Sequence, residues 1–449
     1  SAQNPGCVKN GDTSVVYRCG DTVQFSCTFN GSILNCASGS WGLKVGASNI
    51  VIDGAGYKIT GNEDATVCYG VSEGDPSTHS GVINNGGHDN VVIKNLEVEN
   101  FCEGIALKYS GTNKVTNNTV CDCSIHDNGN GTKLDPGDPN EETSTHGIHL
   151  VKAEYCTITR NDLFNNNGTG DTCSAGGNGF FAYGLGAGHN TITCNHAHNN
   201  RAAGIFLKKG GEFQNISYNN ASANGGAGIS PKCKKVNNCT IEYNTVIGNG
   251  GHGFDSQAAY NTYRYNTVKD NGGDGIHINA GHETSGDYDY GVHNVITNNT
   301  ICGHSGGSVD IWIQDDAYGW TNTVDKDTCD SSNNATAFAC DDWKCNSLVS
   351  VYYDFDEDGD CSQATCLCNN TLDVGSCCNP GKFNSSGANN HCAACQCCNT
   401  AVGHDTNDCD GIPSGDPVPP VPELPTLVLL SIGLLILAGY VVLGKRRKE

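Results

Sequence analysis

The sequence predicts an all-β chain coiled as a right-handed parallel β-helix, and three observations carry that prediction. A unit of 22 to 25 residues recurs four times between Asn190 and Asn279. Within it asparagines return at fixed steps: Asn195, Asn219, Asn244 and Asn266 are 24, 25 and 22 residues apart, and so are Asn200, Asn224, Asn249 and Asn271. A glycine follows each second asparagine by four, at Gly204, Gly228, Gly253 and Gly275, and opens an alternation such as Gly204-Ile205-Phe206-Leu207-Lys208. Such alternation is what a strand with one buried face requires. Leucine-rich and helical solenoids fit badly, because these units are poor in Leu and Glu. Asparagine suits coils of short strands: it tolerates the left-handed corner conformation, and its amide bonds to the asparagine one coil away.

Composition bounds the rest. The 449 residues hold 25 basic and 48 acidic side chains, a net charge of −23, which excludes nucleic acid as a partner because the basic footprint is missing. Twenty-seven cysteines place the chain in an oxidising, extracytoplasmic compartment, and without a Cys-x-x-Cys-His there is no haem attachment. Sequons at Asn30, Asn117, Asn130, Asn167, Asn215, Asn220, Asn238, Asn298, Asn334, Asn369 and Asn384 make it a candidate glycoprotein. The chain opens at Ser1, which implies a signal peptide already removed.

Taken in order, residues 1–41 carry Cys7, Cys19, Cys27 and Cys36 without the asparagine pattern and read as a disulfide-tied N-terminal cap. Residues 42–325 read as the β-helix, about ten coils, with the first asparagine series running back through Asn161, Asn118 and Asn95 and forward to Asn299. Insertions between Asn118 and Gly147 and between Asn161 and Gly179 fall at one corner, and a third from Ala280 at another. Residues 326–411 hold 13 cysteines and form a disulfide module. Inside it Asp354, Asp356, Asp358 and Asp360 alternate around Gly359 with the spacing of a Ca²⁺ loop, although Thr365 stands where a complete EF-hand needs Glu. A Pro-rich linker at 412–426 leads to an uncharged run at 427–444, long enough for a transmembrane helix, and a basic cytoplasmic tail at 445–449.

The end of the chain, Val421-Pro422-Glu423-Leu424-Pro425-Thr426 with its apolar run and basic tail, resembles the PEP-CTERM sorting signals, in particular the archaeal Val-Pro-Glu-Phe-Pro-Thr form, with Leu424 in place of Phe. The resemblance implies that Pro422, Glu423, Pro425 and Thr426 are read by an archaeosortase-like processing enzyme, and that the protein sits outside an archaeal cell, anchored to its membrane. The repeats resemble the pectin-lyase-like superfamily and its NosD-like β-helix repeats. That resemblance implies the fold, which carries lyases, hydrolases, epimerases and non-enzymes alike.

Chemistry on such a rod comes from outward side chains on adjacent strands. Two residues after each glycine these are Ala106, His149, Phe206, Ser230, Asp255 and His277, and four after they include Lys108, Lys208, Lys232 and Asn279. One coil apart, Asp255 neighbours His277 and His252 neighbours Asp274, so these four are the candidate catalytic residues, with Lys208, Lys232 and Asn279 as binding residues. Such positions face solvent by construction, and polar residues there are expected without any function. Ser256 and Pro231 stand where apolar inward residues belong, which suggests a local register shift. Gly251-His252-Gly253 is similar to the Gly-His-Gly of polygalacturonase-like hydrolases, but the Asp pair that inversion needs is missing from the preceding coil. Phe206, Tyr260 and Trp312 offer stacking platforms without forming one line.

The sequence therefore points first to a structural or adhesive surface glycoprotein, a non-catalytic envelope, sheath or filament component that self-associates. The alternatives are a surface polysaccharide lyase or glycoside hydrolase and a carbohydrate-binding module without turnover. Ca²⁺ is the expected cofactor.

Overall fold

A computed structural model of the chain describes residues 5–37, 40–62, 79–108, 114–129, 145–168, 176–184, 188–232, 236–279, 281–282, 289–304, 308–314 and 322–329. The Cys-rich module beyond Cys329, the acidic loop at Asp354, the linker, the apolar run and the sorting motif all lie outside these residues. Among the described residues no helix is long and apolar enough to cross a membrane.

The chain passes repeatedly through three long sheets. Among the described residues sheet 1 has 13 strands and sheets 2 and 3 have 11 each, with strand order climbing one coil at a time. One coil shows the path: Asn178–Tyr183 in sheet 3, Thr191–Thr193 in sheet 1, His196–His198 in sheet 2, then Ile205–Lys208 back in sheet 3. Apart from the first strand and the small hairpin at Gly281–His282 and Asp289–Tyr290, pairing is parallel. Inward side chains stack in register, as in Ile158, Ile192, Ile216 and Ile241 of sheet 1, all fully buried. The residues expected to form a cap are already coiled. Asp21–Val23, Cys27–Phe29 and Ile33–Cys36 join sheets 3, 1 and 2, tied by Cys7–Cys27 and Cys19–Cys36.

Three amide ladders line the corners. Asn195 shows the bonding: its Nδ2 donates to Asn219 Oδ1 at 3.0 Å and to the Ile158 carbonyl at 2.9 Å, while its Oδ1 accepts from the Asn161 Nδ2 and backbone N–H at 2.9 and 3.1 Å. Every donor and both acceptor positions of the amide are thereby used, which removes the cost of burying it. This first ladder runs from Asn161 through Asn299 to Asp327. It does not include Asn118 or Asn95. The equivalent positions there are Cys123, whose N–H bonds Asn161 Oδ1 at 3.1 Å, and Leu96. Asn95 is instead the preceding corner residue with φ 51°, and Asn118 belongs to a third ladder through Cys156, Asn190, Gln214, Cys239, Asn261, Asn294 and Asn322. The second ladder extends from Asn128 through Asn166 and Asn200 to Asn271, where His304 Nδ1 accepts the last N–H at 3.3 Å.

The residue before each ladder position adopts positive φ and points outward, as at Tyr218, Tyr243 and Tyr265. Their rings stack at 5.0 Å per coil, as do Tyr155, His189 and Phe213 at another corner. The segments 63–78, 130–144 and 169–175 all connect sheet 2 to sheet 3, so three insertions share one corner where the sequence marks two.

Candidate functional site

The outer face of sheet 3 gathers most of the predicted residues. Its strands place His149, Phe181, Phe206 and Ser230 side by side, and beyond them Asp255, His277 and Trp312. The register is unbroken at the two suspect positions. Pro231 pairs with Leu207 on the inner face, and Ser256 is buried with its hydroxyl accepting the Tyr263 O–H at 2.8 Å. A groove of about 210 Å³ crosses these coils from Asn178 past Phe206 and Ser230 to Lys232, His252 and Asp255.

The four candidate catalytic residues do come together: His252 meets Asp274 as expected, with Nδ1 3.5 Å from Oδ2, whereas Asp255 and His277 each take a different partner. Asp255 adjoins His277 in the ladder, yet its Oδ2 takes Lys232 Nζ at 2.6 Å, because the long lysine reaches across one coil and meets the carboxylate first. Its Oδ1 is buried without a hydrogen-bond partner and the residue lines the groove. Asp274 sits in the turn before Ile276–Ile278 and folds back onto its own strand, where Oδ2 accepts the Nδ1 proton of His277 at 2.6 Å. Asp274 Oδ1 accepts the Val309 N–H at 2.9 Å, which fixes the carboxylate. The Asp274 N–H in turn donates to His252 Nδ1 at 2.8 Å, and the His252 ring stacks on His277 at 4.0 Å. Trp312 closes the other side of His277 at 4.1 Å and 4°.

These bonds set the tautomers. His277 donates its Nδ1–H to a carboxylate, so the neutral form of the ring carries its lone pair on Nε2, where it can act as a base. His252 accepts on Nδ1, so its neutral form carries the proton on Nε2 and is a donor. Burial lowers the His252 pKa, and the neighbouring His277 adds to that. For Asp274 burial acts upward, but the hydrogen bonds from His277 and the Val309 N–H outweigh it and keep the carboxyl below its ordinary value.

Lys208 is buried beside Tyr183 and Lys232 in the register, and burial, then the charge of Lys209, brings its pKa down to about 8. Asn279 follows His277 by two, its N–H donating to the Ser256 carbonyl at 2.8 Å. The aromatic platforms are more continuous than the sequence suggests. Phe206 stacks on Phe181 at 5.4 Å, and Trp312 joins His277 and His252, while Tyr260 stands apart at a corner against His293. Of the sequons, Asn117, Asn215 and Asn238 are exposed, Asn30, Asn167, Asn220 and Asn298 are half-buried, and the other four fall outside the described residues.

A second polar cluster on this sheet was not singled out from the sequence. Glu103 Oε1 accepts from Lys108 Nζ at 2.8 Å and from His149 Nδ1 at 2.6 Å, and Ser80 Oγ donates to Oε2 at 3.1 Å. Glu103, Lys108 and His149 are each 0% exposed, and His146 and Phe181 pack against His149. The signal was present as His146 and His149 flanking Gly147, but their partner lies one coil back across the insertion at 130–144.

No curated protein matches the chain. Among solved structures it is similar to the A-module of a mannuronan C-5 epimerase of Azotobacter vinelandii, with 16% identity over 69% of this chain and 84% of that one and a TM-score of 0.46. It is also similar to the periplasmic alginate epimerase AlgG, with 14% identity over 67% and 77% and a TM-score of 0.39. A third is the Dettilon tailspike protein, with 14% identity over 69% and 55% and a TM-score of 0.34. Residues 146–329 match the family described as "Right handed beta helix region", and the coils that carry the groove are a right-handed parallel β-helix.

Proposed function

We propose that sheet 3 binds an extended acidic polysaccharide and abstracts a proton beside a uronate carboxylate, the step shared by lyases and epimerases. The observation that carries this reading is the Asp274–His277 pair, an imidazole base whose tautomer is fixed by a carboxylate at 2.6 Å. A carboxylate-oriented imidazole flanked by a second imidazole suits C–H proton abstraction better than two-carboxylate hydrolysis, which needs a free carboxylate pair. Lys232 would face the uronate carboxylate, Phe206 on the groove wall would contact a sugar ring, and the unpartnered Asp255 Oδ1 would accept a hydroxyl. An extracytoplasmic setting belongs to the same proposal and is supported by the two disulfides of the first coil.

The test is incubation of the full chain with a panel of polyuronates, reading unsaturated uronate by ultraviolet absorbance and C5 configuration by NMR. Wild-type protein should form one of the two products, His277→Gln should lose at least a hundredfold in rate while still binding, and Phe206→Ala should bind about tenfold more weakly. Absence of both product and binding across the panel would remove this reading. A surface assembly component, the first expectation from the sequence, would then be examined by electron microscopy for regular polymers; glycan retention without product would instead make the groove a binding module.

A further inference from the structure

Sheet 2 carries a cluster that the groove does not use. Asp162 and His196 are register neighbours on adjacent strands, and His198 follows His196 by two, so all three project from one outer face. One oxygen, Asp162 Oδ1, faces both rings: His198 Nε2 lies 3.0 Å away and His196 Nδ1 3.3 Å. The two imidazoles stack at 4.0 Å, and the three ligand atoms lie within 4.8 Å of one another.

The geometry points to a divalent metal site at Asp162, His196 and His198, open to solvent on its outer side and suited to a zinc-class ion. An ion held at about 2.0–2.2 Å by N and O donors needs them roughly 2.9–3.4 Å apart, and the two spacings about Asp162 Oδ1 are within that range. Two imidazoles and one carboxylate are a borderline donor set, which favours Zn²⁺ or its first-row neighbours over Ca²⁺. Ligands are partly exposed, Asp162 at 46%, His196 at 35% and His198 at 20%, leaving room for water to complete the coordination. Support stands around them. Phe164 stacks on His198 at 5.1 Å, and the Asn199 Nδ2 lies 2.9 Å from His198 Nδ1; an amide flip would turn its carbonyl oxygen to accept the Nδ1 proton of a metal-bound ring.

Two similar groupings are already satisfied by the protein. Around Glu97, Glu99 and His126, Lys58 Nζ takes the cation's place at 2.8 Å from Glu99. At Asp274 the His252 Nδ1 lone pair is used by the Asp274 N–H.

The experiment titrates the full chain, stripped of metal, with zinc chloride by calorimetry, with Asp162→Asn, His196→Ala/His198→Ala and His277→Gln in parallel. The expected result is a site weakened at least tenfold in Asp162→Asn, lost in the double variant and unchanged in His277→Gln. A double variant that titrates like wild type, or a wild type that takes up no zinc, overturns the proposal. If a variant fails to fold, crystals of the wild type soaked in zinc decide by anomalous scattering: a peak at Asp162 sustains the site, and peaks only elsewhere refute it.

Discussion

Glu103–His149 and Asp274–His277 are the same chemical pair on the same sheet, a carboxylate accepting an Nδ1 proton at 2.6 Å in both. They lie five strand steps apart, about 24 Å at the spacing of paired strands. Their surroundings differ. The first pair is 0% exposed and neutralised by Lys108, whereas the second is 12–14% exposed and flanked by stacked rings. A buried triad of this kind holds strands together, because each member needs the others to compensate for lost hydration. A pair that is only partly buried keeps its Nε2 within reach of a ligand.

The sharpest way to break the comparison is to remove each carboxylate. Glu103→Gln should destabilise the chain by about 3–5 kcal/mol in urea denaturation, since it leaves Lys108 buried without its countercharge. An unchanged midpoint would place the triad with the functional residues and not with the framework.

Acid separates the two pairs next. Burial, then the Lys108 charge, pushes the His149 pKa from 6.5 to about 4. Below about pH 6.5 the unfolded chain takes up a proton that the native site refuses until about pH 4, so stability is present above 6.5 and is lost as pH falls through that window. The expected loss is on the order of 3 kcal/mol for this group, with His146 and His304 shifted in the same direction. Melting curves from pH 7 to 4 check it, and His149→Gln should flatten part of the slope.

The smallest effect on stability belongs to Asp274→Asn, about 1 kcal/mol, because solvent reaches the pair and screens it. Under the proposed activity its signature should be kinetic: polyuronate turnover falls and its pH optimum moves, while the melting temperature hardly changes. A drop as large as that of Glu103→Gln would erase the distinction between the pairs.

Much of the coil was readable because Asn219, Asn244 and Asn266 repeat one identity at one period, which only stacked corners demand. The third ladder escaped since Cys156, Gln214 and Cys239 occupy its rungs and break the identity while keeping the position. Placing Asn118 and Asn95 in the first ladder failed for a related reason. A coil offers several asparagine-tolerant slots at each corner, and spacing alone does not separate an inward rung from the outward residue before it. Outward residues of sheet 3 followed from strand alternation, but alternation says nothing of how a side chain in a turn folds back. That is how Asp274 came to serve His277; Lys232, on its strand, claims Asp255 because its length spans one coil. The Glu103 triad needs register to be carried across an inserted segment of arbitrary length, which sequence spacing does not do.

Because each coil bonds only to the coils beside it, the rod is also a ruler. Residues 219–243 run from one first-ladder rung to the residue before the next, so their removal would join Tyr218 to Asn244, two residues that already have the right neighbours on either side. The two carboxylate–histidine pairs would stay whole while the stretch between them shortened by one graduation, about 4.8 Å. An activity that depends on a sugar chain of fixed length could then be measured against the protein's own scale, coil by coil.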